Sequence, residues 1–253
     1  MAKAPLTKIE SYCNRLLRLR EINDYEAALN GLQVENGGTV TRIAAAVDAS
    51  LSTAQLAVAG GANLLVVHHG LFWSQRQPWT ASNYRLMRFL LEHDVAVYSA
   101  HLPLDVHPEL GNNAQLCRAL GFRSLRPFFF EKKQFIGLQT KTSVHRDELV
   151  KRLVKTIDSR VTLIPGGEPV CRKIGVVTGG AGSHLKTAAA EGIDTFITGE
   201  GPHWTHSQAE ELGINVLYGG HYATETFGVK SLARHLSRRF GVPWIFLDHP
   251  SGL

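Results

Sequence analysis

Cysteine is scarce in this chain, with three in 253 residues. Cys13, Cys117 and Cys171 form no Cys-x-x-Cys pair, which argues against a thiolate structural zinc, and their odd number argues against a disulfide framework. They are expected to be reduced, partly buried and inert. No apolar run approaches the length of a membrane span, and residues 1–19 are a charged amphipathic segment with no signal-peptide core. The expectation is a cytoplasmic protein with no membrane partner. No recognised nucleic-acid motif and no aromatic-interleaved basic stretch occurs, so nucleic acid is only a weakly supported partner.

What is present fits an ordinary globular protein: 44% hydrophobic and 19% charged residues, in a chain long enough for one large or two small domains. The net charge of +5 is uneven. Residues 123–173 carry 12 Lys+Arg against 5 Asp+Glu, a net of +7, which leaves 15 against 17 and a net of −2 elsewhere. Lys230, Arg234 and Arg238 put a second basic stripe along one helix face. A solvated surface is the more common meaning of both features, and phosphate or nucleic acid the other.

The stretch Asn63-Leu-Leu-Val-Val-His-His-Gly70 reads as a buried strand that delivers two histidines to a sheet edge. Adjacent strand residues point to opposite faces, so His68 and His69 share a site only if the chain leaves strand geometry there, and Gly70 permits that bend. A weaker copy follows at a constant offset of 131 residues, from Lys173-Ile-Gly-Val-Val-Thr178 to Gly192-Ile-Asp-Thr-Phe-Ile-Thr-Gly-Glu-Gly201, with Glu200 at the position of His69. Val97-Tyr-Ser-Ala-His101-Leu-Pro-Leu-Asp105 likewise matches Leu217-Tyr-Gly-Gly-His221-Tyr-Ala-Thr-Glu225. Two ordered matches suggest an internally duplicated βαβαβ unit and an α/β fold.

Periodicity and caps place helices over residues 6–20, 51–59 (entered through Asp48 or Ser50), 82–93, 112–120, 147–157 and 226–240. Strands are expected over 42–47, 63–67, 95–99 and 173–178, and a last one over 243–247 completes the second copy. Residues 30–38 read as an irregular loop with a short extended piece. Residues 123–167 alternate and are aromatic, which suggests an inserted antiparallel α+β piece. The domain expectation is 1–122 as a first α/β unit, 123–172 as a basic insertion and 173–253 as a second α/β unit.

The chemistry-bearing groups are His68, His69, His101, Asp105, His221 and Glu225, with Glu200 beside them. Imidazole and carboxylate together suit Zn, Mn, Fe or Ni. Six donors exceed one tetrahedral site. Two ions about 3.5–4 Å apart, bridged by a carboxylate, would use them all, and such pairs activate water and stabilise anionic leaving oxygens.

His68-His69-Gly70, Ser99-Ala-His-Leu-Pro-Leu-Asp105 with Gly111-Asn-Asn-Ala-Gln115, Thr198-Gly-Glu200 and Gly220-His-Tyr-Ala-Thr-Glu225 resemble the signature blocks of the NIF-three-like family, GTP cyclohydrolase 1 type 2 homologues, in its short bacterial form. The resemblance implies two similar intertwined α/β/α units, two divalent ions per chain in the cleft between them, and a toroidal homohexamer. By position it makes His68, His69, Asp105, His221 and Glu225 the metal ligands, Glu225 the expected bridge, and His101 a catalytic neighbour that either supports a ligand or transfers protons. Tyr222 departs from the second histidine of that block and leaves the ligand at His221 intact. The implied function is a metal-dependent hydrolase of a small phosphate-containing substrate, either ring-opening of a guanine nucleotide or phosphoester cleavage. The alternative is a non-enzymatic metal-holding ring that binds nucleic acid or a protein partner. Thr178-Gly-Gly-Ala-Gly182 is a weak phosphate-seat signal that does not decide between them.

Overall fold

In the computed structural model, which describes residues 3–73 and 78–252, the chain is α/β and divides into two compact units. The first comprises Met1–Leu104 and Gly228–His249, the second Asp105–Phe227 and Pro250–Leu253. Among the described residues no helix is long and apolar enough to cross a membrane.

The first unit is built on a five-stranded sheet in the order Trp244–Phe246, Ile43–Asp48, Leu64–His69, Ala96–Ser99, Gly31–Val34. All neighbours pair parallel except the last strand, which is antiparallel. Parallel strands are covered on both faces, and Leu64–His69 is buried along its length up to its last residue. Leu65 and Val67 share a core with Ala54, Ala57, Met87 and Leu90 from the helices Leu51–Ala59 and Ala81–Glu92. The first of these helices starts at Ser50, whose hydroxyl accepts from the Thr53 N–H while the Thr53 hydroxyl accepts from the Ser50 N–H. Such a reciprocal cap stabilises by about 1 kcal/mol. Ser50, not Asp48, is therefore the cap, and Asp48 is left for other work.

Two expectations change here. The first helix is Leu6–Leu16, stopped short of residue 20 by Arg18 in the left-handed region (φ 54°). The last strand, Trp244–Phe246, pairs parallel with Ile43–Asp48 in the first sheet and so does not complete the second copy.

The second unit carries a six-stranded sheet in the order Arg126–Glu131, Gln134–His145, Val170–Val176, Thr195–Thr198, Asn215–Tyr218, Thr162–Pro165. Its three central strands run parallel, and the segment read as an antiparallel insertion supplies the three antiparallel strands that flank them. Ile174, Val176, Ile197 and Leu217 pack with Leu116, Leu149 and Leu153 from the helices Asn112–Ala119 and Arg146–Ile157. Phe128 and Phe129, although adjacent, are both fully buried, because Phe129 adopts a positive φ of 64° and breaks the alternation of its strand. The unit boundary at Phe227/Gly228 falls inside the long helix His221–Phe240.

All three cysteines are free and fully buried, deeper than the sequence suggests. Burial pushes the thiols of Cys13 and Cys117 up to about 12, with Glu10 adding to the effect at Cys13. None of the three should react with Ellman's reagent in the native protein, and all three should react in denaturant. Rapid labelling under native conditions would contradict the packing.

Candidate metal centre

The first unit gathers three histidines at the carboxyl edge of its sheet. His68 and His69 are the last two residues of their strand, and His101 follows the strand Ala96–Ser99. Their rings lie 4.9 Å (His68–His69), 4.9 Å (His68–His101) and 5.7 Å (His69–His101) apart between centroids. One ligand atom from each lies within 4.8 Å of the others, a spacing that a single ion could serve. The strand does not break before His69, which still pairs with Asp48. Gly70 has no positive φ; its missing Cβ makes room for the Gln33 amide, which accepts from the Leu71 N–H.

Each ring is held through Nδ1. His68 donates to the Ala100 carbonyl at 2.8 Å, His69 to Asp48 Oδ1 at 2.8 Å and His101 to Asp24 Oδ1 at 2.8 Å. Carbonyl and carboxylate oxygens only accept, so the proton sits on Nδ1 and the lone pair of the neutral ring on Nε2. Asp24 also accepts from the Asn30 amide and from the Tyr25 and Leu102 N–H groups. Burial works to raise its pKa, but the bonds from His101, Asn30 and Tyr25 outweigh it and hold the carboxyl below its ordinary value. Trp73 stands edge-on to His101 at 4.5 Å and lies 5.3 Å from His69.

The second unit presents the carboxylates and the fourth histidine. The helix begins at His221, five residues earlier than the sequence pattern indicates, so His221 and Glu225 occupy its first turns at i, i+4 with Nε2 and Oε2 3.3 Å apart. His221 donates through Nδ1 to Glu200 Oε1 at 2.8 Å. Burial alone would lower its pKa, but Glu225 and Glu200 outweigh it and raise the imidazolium to about 9. Glu225 is 3% exposed, a depth at which a carboxylate needs a cation or donors around it. Asp105, also buried, accepts from the Asn112 amide at 2.8 Å, while Asn113 bonds the Asp105 and Ile136 carbonyls and takes the Thr178 N–H.

The glycine-rich turn after Val170–Val176 serves this pair. Gly179 has φ +74°, and a Cβ there would overlap Glu225 Oε1 and stand 3.3 Å from His221 Nε2. A Cβ at Gly199 would meet the Gly179 carbonyl and the His221 Cα. The glycines thus let backbone close around a carboxylate, which is the geometry of a cradle for the Glu225 and His221 pair. In the first unit His68, His69 and His101 are brought together, and in the second His221, Glu225 and Glu200. Asp105 is placed in the second unit by its own asparagine clamp. Sequence reading missed Asp24, Asp48 and the role of Asn112. Asp48 carried a signal, since it ends the strand beside the histidine strand, whereas Asp24 lies 77 residues from His101 in an aperiodic stretch.

Comparison with known proteins decides the family. Residues 4–251 match the family model Duf34/NIF3 (NGG1p interacting factor 3). The chain belongs to the Duf34/NIF3 family. Among relatives in the Duf34/NIF3 family, a Deinococcus radiodurans protein named GTP cyclohydrolase 1 type 2 homolog is 40% identical over 230 residues, covering 90% of this chain and 88% of that one. A crystal structure from Thermus thermophilus is similar at 37% identity and TM-score 0.91, covering 99% of this chain and all of that one. Reduced HcgD from Methanocaldococcus jannaschii is similar at 26% identity and TM-score 0.87, over 98% and 100% of the two chains. The matches run over most or all of each chain, and in this chain the cluster of His68, His69 and His101 is one that could hold a metal ion.

Proposed function

We propose that this chain is a divalent-metal-dependent hydrolase that holds two ions on His68, His69, Asp105, His221 and Glu225, with Glu225 as the bridge. The observation that carries this is the treatment of the histidines: the rings of His68, His69 and His221 all have Nδ1 committed to an oxygen acceptor, the arrangement that orients Nε2 for a metal. Three imidazoles so held, with the two buried carboxylates of Asp105 and Glu225, fit Zn, Mn, Fe or Ni and lack the thiolates of a purely structural site. Bound there, divalent ions supply Lewis acidity toward water and toward a carbonyl or phosphoryl oxygen.

The protein's own groups do the rest. Asp24 keeps the proton of His101 on Nδ1 and stabilises the imidazolium if Nε2 takes a second one, so His101 is set to accept and return a proton beside His68 and His69. Trp73 packs edge-on against the His101 ring, which is buried. The Asn112 amide donates to Asp105 Oδ1 and so fixes the orientation of that carboxyl group.

The substrate is proposed as a small phosphate-containing molecule, and the names of the curated relatives favour ring-opening of a guanine nucleotide over phosphoester cleavage. A toroidal homohexamer is the setting that the family resemblance implies, and the cytoplasm is the compartment proposed from the sequence. The reaction is tested by incubating protein loaded separately with Mn, Fe, Zn or Ni with GTP and with a panel of phosphoesters. Formate release from GTP supports the guanine reaction, and phosphate release without formate moves the assignment to phosphoester hydrolysis. No product with any metal contradicts the hydrolase reading.

A further inference from the structure

The first helix, Leu6–Leu16, and the last turns of the long helix line a groove of about 420 Å³ within the first unit, and none of its residues belongs to the proposed ligand set. Leu6, Ile9 and Cys13 form the buried face of the first helix. On its other face Lys8 and Arg15 supply cations and Thr7 and Ser11 hydroxyls, and Arg239 adds a third cation from the long helix. No carboxylate lines the groove, and Glu10, the acid of the first helix, falls outside it.

The floor is built rather than incidental. Tyr12 meets Phe240 edge-on at 5.6 Å, stacks on His235 at 5.7 Å and bonds His235 Nε2 through its hydroxyl at 2.7 Å. The guanidinium carbon of Arg239 sits 5.7 Å over the Tyr12 ring and 5.9 Å over that of Phe240, so the cation is positioned before any ligand arrives. Helix dipoles account for Arg239, in the last turn of its helix, but oppose Lys8, in the first turn of its own. Lys8 is therefore placed against that preference, in a groove that Arg15 of its own helix and Arg239 of the long helix also line.

The geometry points to a binding site for a small phosphorylated molecule. Lys8, Arg15 and Arg239 share the charge of its phosphate, and Thr7 and Ser11 donate to the remaining oxygens. A tetrahedral dianion suits three cations and two hydroxyls lining one groove better than a planar carboxylate does. The groove exceeds a bare phosphate and falls in the size range of small-molecule sites, which leaves room for the group that carries the phosphate.

The test is calorimetric titration of the full-length, metal-loaded protein with inorganic pyrophosphate. It is run beside the double variant Arg15→Gln/Arg239→Gln, the single variant Lys8→Gln and the metal-ligand variant Asp105→Asn. All three groove positions are exposed, so folding should be kept and is checked by thermal melting. The expected result is a pyrophosphate-binding step that weakens about tenfold or more in the double variant, the loss of one or two charge-assisted bonds, weakens less in Lys8→Gln, and persists in Asp105→Asn, where only a separate step at the metal centre is lost. Equal affinity in wild type and double variant, loss only in Asp105→Asn, or no binding at millimolar pyrophosphate overturns the proposal. A short single-stranded oligonucleotide is the parallel probe: binding of it without binding of pyrophosphate overturns the small-molecule assignment in favour of a nucleic-acid backbone.

Discussion

Gly179→Ala should strip the protein of most of its bound metal while leaving it folded. A Cβ at this position overlaps Oε1 of Glu225, the free end of a side chain that can swing away, so the clash costs the fold little. The φ of +74° adds strain of roughly 1–2 kcal/mol for a residue with a Cβ. Together these lower the melting temperature by a few degrees in a chain of this size. The site suffers more, because ligand geometry tolerates displacements of only about 0.5 Å and Glu225 must move further than that. Elemental analysis and a thermal melt on the same sample separate the two effects. Full metal content in the variant would show that the glycine turn does not shape the site.

The second large effect concerns the carboxylate itself. Glu225→Gln keeps the volume of the side chain and its place beside His221, but removes a charge that is 3% exposed. With Glu225 as the bridge between two ions, the neutral amide should weaken metal binding by about a hundredfold or more, roughly 3 kcal/mol, and abolish hydrolysis. Glu225→Ala should do the same and in addition destabilise the metal-free fold, since it leaves the His221 imidazolium with Glu200 as its remaining carboxylate and opens space beside Gly179. Wild-type metal affinity in the glutamine variant would remove Glu225 from the ligand set.

Much of this was legible in the chain because it is local. The apolar run ending at His68 and His69 is a parallel strand, Ser50 lies at a helix start, and the aromatic segment forms antiparallel strands. The unread parts depend on long-range choices. Tyr222-Ala-Thr-Glu225 carries little helical signal by itself, so a helix starting at His221 is visible only once the preceding Gly220, at φ 90°, is seen to turn the chain into it. An apolar run such as Trp244–Phe246 reads alike whichever sheet it joins, and its pairing with Ile43–Asp48 spans the length of the chain. Asp24 and His101 meet through a loop with no period to follow. The glycines at 70 and 179 were recognisable as special, but what they make room for, the Gln33 amide and the Glu225 carboxylate, is set by other elements.

The central claim is that these histidines and carboxylates are a metal-ligand set. The direct measurement is divalent metal per chain by elemental analysis, on protein purified without an affinity tag or chelator. About two ions per chain is the predicted result, as a carboxylate-bridged pair requires. No bound metal, even after incubation with Mn, Fe, Zn or Ni, would contradict it.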